Sequence, residues 1–330
     1  MISRRQVVLA FGAGVFVACF RAYAQQSLQK VFRVGILSTS GPTPDGMPPI
    51  PLREGLRGLG YIEDKNIVYE ARFANGEMER LPGLAAELIR RKVDVIVTQG
   101  GPATVAAKQA TSTIPIVMAP AAGDAVATEL IASLARPGGN VTGLTDESVQ
   151  LSAKRLQLLK EVVPKAALIA ILWNVNDRGM TVRYREIEKA ARILQVEVQP
   201  ISLRETKDFV AAFATMTSRR PDAIFLVSDV FTRSNRKQVI EFAAAHRIPA
   251  MYEYGYYVRD GGLMSYGPSP DDGFREAAIY IDRILKGAKA ADLPAEQPTR
   301  YYLTINRTTA AALGLTIPSS LLLRAEDVIN

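Results

Sequence analysis

Thiols, imidazoles and long apolar runs are almost missing from this chain. Its one Cys is Cys19, its one His is His246 and its one Trp is Trp173. Cys19 lies in an N-terminal segment with the three-part layout of a secretory signal peptide. Ser3-Arg4-Arg5 is positive, Val7 to Phe20 is apolar or small without a charge, and Ala22-Tyr23-Ala24 puts small residues at a cleavage site. Cleavage after Ala24 removes the thiol, which excludes a disulfide framework, a thiolate nucleophile and a Cys-based metal site from the mature chain. A lone His, placed near a helix end where a cation suits the dipole, argues against Ser–His or metal chemistry. No later stretch reaches 18 apolar residues, so no spanning helix is expected after the signal. A phosphate loop of the Gly-x-x-x-x-Gly-Lys-[Ser/Thr] kind is missing too. Neither Gly12-Ala13-Gly14 nor Gly58-Leu59-Gly60 joins a strand to a helix as a dinucleotide turn must.

What is present reads as an exported globular protein. Ser3-Arg4-Arg5-Gln6-Val7-Val8 fits the twin-arginine route as well as the general one, and Phe16-Val17-Ala18-Cys19 leaves a lipoprotein anchored at Cys19 as the rival to periplasmic release. Hydrophobic residues make up 48% and charged residues 22% of 330, enough apolar material for a core and no disordered signature. The formal charge of +7 falls by three to +4 without Arg4, Arg5 and Arg21. Its Lys and Arg are interleaved with acids rather than gathered on a basic face, so no nucleic-acid partner is expected. A mature chain of about 306 residues favours two domains.

Along the chain, β-rich runs alternate with helical patterns. Strands are expected at Arg33–Leu37, Ile67–Phe73, Val93–Val97, Ile114–Met118 and Val141–Leu144. Helices are expected around Leu52–Leu59, Leu81–Leu88, after Pro102, and at Ala125–Ala135. The grammar then restarts, with helices expected at Leu151–Val163, about Val182–Leu194, Asp208–Ser218 and about Asn235–His246, and strands at Ala167–Leu172, Val196–Ile201, Ala223–Val227 and Ala250–Tyr254. Such alternation means right-handed crossovers and mainly parallel sheets. The expected fold is therefore α/β, with two doubly wound lobes: residues 31–145, and residues 146–264 after the crossing. The tail of about 265–330 holds too few elements for its own core and is expected to return to the first lobe and close its sheet. Repeated crossings make a hinge, and a ligand cleft is expected at the carboxyl ends of the strands.

Several runs carry a family resemblance. Val93-Asp94-Val95-Ile96-Val97, Ala106 to Val117, Ser133 to Leu144 and Gly261 to Gly267 occur in collinear order with Tyr280 to Lys289 and Leu313 to Leu321. Together they resemble the tryptophan/tyrosine-type substrate-binding proteins of ATP-driven (ABC) importers, across essentially the whole mature chain. The resemblance implies a type I periplasmic-binding-protein fold, a small ligand held between two lobes and a membrane permease as partner. A monomer without cofactor is expected, and the thin set of catalytic residue types argues against an enzyme. An exported sensor that hands its closed form to a receptor kinase would carry the same features. Three segments depart from the family pattern, all at expected strand ends: the Pro-rich stretch from Pro42 to Pro51, the turn Gly100-Gly101-Pro102-Ala103, and Tyr252 to Tyr257.

Candidate ligand residues follow from residue type at those strand ends. Ser38 and Thr39 offer hydroxyls. Gly100 and Gly101 open a helix whose N–H groups suit a carboxylate. Asp124 would bind an ammonium or cap a helix. Asn174 and Asp229 end apolar strands of the second lobe. Trp173 and Tyr254 are expected either to clamp an aromatic or apolar ligand or to pack structurally. The expected ligand is an amino acid, possibly aromatic, or a related carboxylate.

Overall fold

The computed structural model describes residues 30–119, 124–145 and 148–330. The signal segment and its Cys19 lie outside these residues. Among the described residues no helix is long and apolar enough to cross a membrane.

The first lobe is a five-stranded sheet in the order β2-β1-β3-β4-β5, all parallel. Its strands are β1 (Phe32–Ser38), β2 (Ile67–Phe73), β3 (Val95–Gln99), β4 (Ile116–Met118) and β5 (Val141–Gly143). Alternation along each strand sends side chains to opposite faces, and both faces are covered. On one side, helix α1 (Ile50–Gly58) lays Leu52 and Leu56 over Val34, Ile36, Val95 and Val97. On the other, α2 (Leu81–Arg90) and α3 (Gly101–Ala110) cover Leu37, Ile96 and Ile116 with Leu81, Leu88, Ala103 and Ala107. Each such Leu, fully buried, is worth about 1.5–3 kcal/mol of transfer free energy.

The second lobe opens with α4 (Ser148–Val162), β6 (Leu168–Asn174), α5 (Arg178–Ile193) and β7 (Glu197–Leu203). It continues through α6 (Asp208–Ser218), β8 (Ala223–Leu226), α7 (Val230–Ser234), α8 (Arg236–Ala245) and β9 (Ala250–Tyr252). The chain then forms α9 (Gly255–Arg259), β10 (Met264–Gly267), α10 (Pro270–Leu285), β11 (Tyr302–Asn306), α11 (Arg307–Ala312), α12 (Ser319–Leu322) and β12 (Asp327–Ile329). Its seven-stranded sheet runs β12-β11-β10-β9-β8-β6-β7. Only the β10–β11 pairing is antiparallel. On β6, Ile169, Ile171 and Trp173 face the α4/α5 layer, while Ala170 and Leu172 face the α6/α8 layer.

Two expectations are corrected. The tail strands do not close the first sheet: β10, β11 and β12 extend the second. What does return to the first lobe is helix α10, placing Phe274, Ala277, Ala278 and Ile281 against α1, and the segment after it, where Glu296 bridges Leu144 beside β5 and the Thr142 hydroxyl donates to the Leu293 carbonyl. The approach is close because Gly55 has no side chain there; a Cβ would stand 2.9 Å from the Ala278 Cβ. Between β10 and β11 the chain makes a long excursion through α10 to the first lobe before β11 returns antiparallel to β10. The other correction is the helix expected at Ala125–Ala135, which is a single turn. Asp124 caps it by accepting from the N–H groups of Val126 (3.1 Å) and Ala127 (2.9 Å). Glu129 then turns left-handed at φ 63°, and Lys108 ties the Glu129 and Leu130 carbonyls at 2.9 and 3.0 Å.

Candidate functional site

A doubly wound sheet opens a crevice where its strand order reverses. In the first lobe the chain steps from β1 outward to β2 and then back to β3, so the crevice lies at Thr39 and Gly100. In the second it steps from β6 to β7 and back to β8, which places the crevice at Asn174 and Ser228-Asp229. These two switch points face each other across one cleft. An inner chamber of about 40 Å³ is lined by Thr39, Gly100, Gly101 and Pro102 from the first lobe and by Asn174, Asp177, Ser228 and Asp229 from the second. It adjoins an outer chamber of about 460 Å³ between α2, α3 and the start of α5. Met78 and Met180 border both.

The first-lobe wall is built from backbone and hydroxyl groups. Gly100 caps α3 at φ 93°, where a Cβ would come within 2.5 Å of the Thr39 hydroxyl oxygen. Only glycine fits that conformation and that space. Pro102 occupies the first turn, where its missing N–H costs nothing. Buried Thr98 and Thr104 brace the turn through a hydroxyl pair at 2.8 Å, and Thr104 reaches the Gly100 carbonyl at 3.4 Å. The Thr39 hydroxyl donates to the Gln99 carbonyl at 3.2 Å, tying the loop after β1 to the end of β3. The unpaired N–H groups of α3 and its dipole favour an anion here.

The second-lobe wall is carboxylate. Asp229 caps α7, accepting from the Thr232 N–H and hydroxyl at 2.8 Å each, and takes the Asn174 amide at 2.6 Å. Asp177 caps α5, accepting from the Gly179 N–H at 2.8 Å and the Met180 N–H at 3.4 Å. Burial raises the pKa of both. For Asp229 the neighbouring Asp177 charge adds to the rise, against the bonds from Thr232 and Asn174. For Asp177 the two backbone bonds and the Arg183 charge oppose it.

Beneath this wall lies a buried ion network. Glu253 bridges Arg155 (3.4 Å) and Arg183 (3.0 Å), all three almost fully buried. Arg155 Nε also donates to the Tyr266 carbonyl at 2.6 Å, and Arg183 to the Ser228 carbonyl at 3.4 Å. Counted formally, Asp177, Asp229 and Glu253 against Arg155 and Arg183 leave one negative charge. At the lips, among the described residues, the lobes are joined by Arg233 donating to Ser40 and by Arg178 with Glu129 at 3.5 Å.

The expected site residues divide. Thr39, Gly100, Gly101, Asn174 and Asp229 meet at the inner chamber. Ser38 does not: its hydroxyl donates to the Gln99 side chain at 3.0 Å and accepts from the Ser40 N–H, fixing the loop. The described bonds of Asp124 are those of a cap. Trp173 turns into the core and stacks on Tyr184 at 3.9 Å, because strand alternation opposes it to Asn174. Tyr254 lines a separate cavity of about 220 Å³ at the hinge, with Leu144, Pro268 and Pro298. Trp173 and Tyr254 therefore form no clamp across one chamber. Sequence reading missed Asp177, Met78 and Met180. An Asp three residues past a strand end is an N-cap signal, overlooked because the helix was expected only from Val182. Met78 sits on a single 3-10 turn with no periodicity to mark it.

Comparison with known proteins bears on this geometry. The family model described as ABC transporter substrate binding protein matches residues 50–329. A tyrosine-binding protein of Clostridioides difficile is 26% identical over 264 residues, covering 79% of this chain and 75% of its own. A solved ABC domain from Streptococcus pneumonia in complex with L-Trp is similar with a TM-score of 0.84 at 25% identity, over 91% of this chain and 100% of that one. A conserved domain protein from Vibrio cholerae has the same TM-score at 26% identity, over 91% and 100% of the two chains. The two-lobed architecture is the type I periplasmic-binding-protein fold. With the family model spanning both lobes, the chain belongs to the ABC transporter substrate binding protein family.

Proposed function

We propose that this protein captures an α-amino acid with an apolar body between its lobes, outside the cytoplasm, and presents it to the inner-membrane permease of an ABC importer. The observation that carries this reading is the opposite polarity of the two switch points. The first lobe offers the N-terminus of α3 to a carboxylate. The second offers Asp177 and Asp229 to an ammonium, which supplies the counter-charge that the formal count leaves missing. The names of two relatives, a tyrosine-binding protein and a domain holding L-Trp, agree with that class. Capture as a monomer, without turnover or cofactor, follows the same reading.

The test uses one amino acid and its two truncated forms. L-Tyrosine at about 100 times its dissociation constant stabilises the protein by about 2.7 kcal/mol, a melting rise of several degrees. The des-amino acid and the decarboxylated amine, each lacking one anchor, give little. Equal shifts from all three would overturn the zwitterion reading. For export, the motif Ala22-Tyr23-Ala24 predicts a mature N-terminus at Gln25. Intact mass of periplasmic material checks it, and a lipid on Cys19 would contradict free release.

A further inference from the structure

The inner chamber is too small for more than a head group, so the rest of any ligand must lie elsewhere. Among the described residues, the inner chamber shares lining with one larger space. The outer chamber of about 460 Å³ begins at Gly101, Pro102 and Asp177, which also line the inner one. The passage between them runs past two thioethers from opposite lobes. Met78 stands on the first lobe's 3-10 turn, and Met180 in the first turn of α5, almost fully buried. Beyond this neck the wall is one face of α3. Pro102, Val105, Ala106 and Gln109 recur at the spacing of a single helical stripe. From Gly101 to Gln109 that stripe is about 12 Å long at 1.5 Å per residue. Val105 is 38% exposed, an apolar side chain left open toward this space. The far end is polar: Gln109 and Thr128 lie there. The Thr128 hydroxyl donates to the Asp124 carbonyl at 2.7 Å, so its lone pairs can accept from a ligand donor.

We infer that this outer chamber is the side-chain compartment of the site, and that Met78, Val105, Gln109 and Met180 set ligand selectivity instead of Trp173 or Tyr254. The inference rests on the amino-acid reading above and deepens it. The ligand class it selects is an α-amino acid with a long apolar or aromatic side chain carrying a polar atom at its tip. Thioethers suit this neck because they adapt to ring faces and edges without fixing one shape. Gln109 and Thr128 then distinguish a side chain that ends in a donor from one that ends in carbon.

Calorimetry with L-tyrosine, L-phenylalanine and L-alanine tests the assignment on the wild type, Met180→Ala, Val105→Asp, Gln109→Leu and Trp173→Phe. The wild type should prefer tyrosine and phenylalanine to alanine by at least tenfold. Met180→Ala and Val105→Asp should weaken phenylalanine at least fivefold and leave alanine within twofold. Gln109→Leu should lower the tyrosine-to-phenylalanine ratio at least threefold, and Trp173→Phe should leave both ratios within twofold. Should Met180→Ala unfold, the exposed Gln109 and Val105 carry the same readout. Unchanged ratios in these variants, with amino acids still bound, would overturn the compartment alone. A wild type that binds none of the three would instead overturn the amino-acid reading and take the compartment with it.

Discussion

The two walls of the cleft solve the same problem by different means. The first lobe presents neutral groups whose positions are fixed by backbone geometry: the left-handed Gly100, the α3 N-terminus and a threonine hydroxyl. The second presents charges, Asp177 and Asp229, and must brace them from below with the Glu253 network. Fixed dipoles cost nothing to bury once a helix has formed, whereas buried charges need partners. The wall proposed for the ligand carboxylate is therefore built from small residues in short turns, and the wall proposed for its ammonium from capped carboxylates over a polar floor.

The largest break in this comparison is expected from the floor. Glu253→Ala leaves Arg155 and Arg183 without their shared carboxylate and should cost about 3–5 kcal/mol in denaturant unfolding. No substitution in the first-lobe wall should match it. Next comes the charged wall itself. Asp229→Asn keeps an oxygen to cap α7 but removes the charge, and should weaken amino-acid binding by about 1.5–3 kcal/mol, or roughly ten- to 150-fold, in calorimetry. On the other wall, Gly100→Ala sets a Cβ against Thr39 at a positive φ. It should cost about 1–3 kcal/mol, read as a lower melting temperature together with weaker binding. The smallest effect is Thr39→Val, which loses the bond to the Gln99 carbonyl, about 0.5–1.5 kcal/mol in denaturant unfolding with affinity almost kept.

Acidity separates the walls as well. Burial raises the pKa of Asp177 and Asp229 in the ligand-free protein. A raised carboxylate pKa stabilises the fold at low pH and withdraws that stabilisation as pH rises through the folded value. Ligand affinity has the opposite sign, because an ammonium favours the ionised carboxylates. Affinity for an amino acid should fall as pH drops through their raised pKa range, with protons released on binding at the lower pH. Asp229→Asn should flatten that profile, and Thr39→Val should leave its shape unchanged.

Much of the architecture was legible in the sequence because periodicity reports burial. The apolar runs at Ala167–Leu172 and Ala223–Val227 read as strands, and the structure has strands at Leu168–Asn174 and Ala223–Leu226. Patterning is silent about which neighbour a strand chooses, so β10 to β12 were expected in the wrong sheet. The turn at Ala125 looked helical because the left-handed Glu129 that ends it carries no glycine to announce it. Of the candidate site residues, Thr39, Gly100, Gly101, Asn174 and Asp229 meet at the inner chamber because strand ends at the switch points of the two doubly wound sheets line one crevice. Residue type left Trp173 open between a clamp and a packing role, and the period of two along β6 decides for packing by turning the ring into the core. Asp177 needed the helix start one turn earlier than apolar periodicity placed it.

The central claim, that the two walls hold opposite ends of one zwitterion, has a direct measurement. Binding of L-tyrosine and of its des-amino acid should be compared by calorimetry in the wild type and in Asp229→Asn. The account predicts that the wild type prefers the amino acid by at least tenfold and that the variant loses most of this preference while binding the des-amino acid as well as the wild type does. An unchanged preference in Asp229→Asn, with the variant folded, would contradict it.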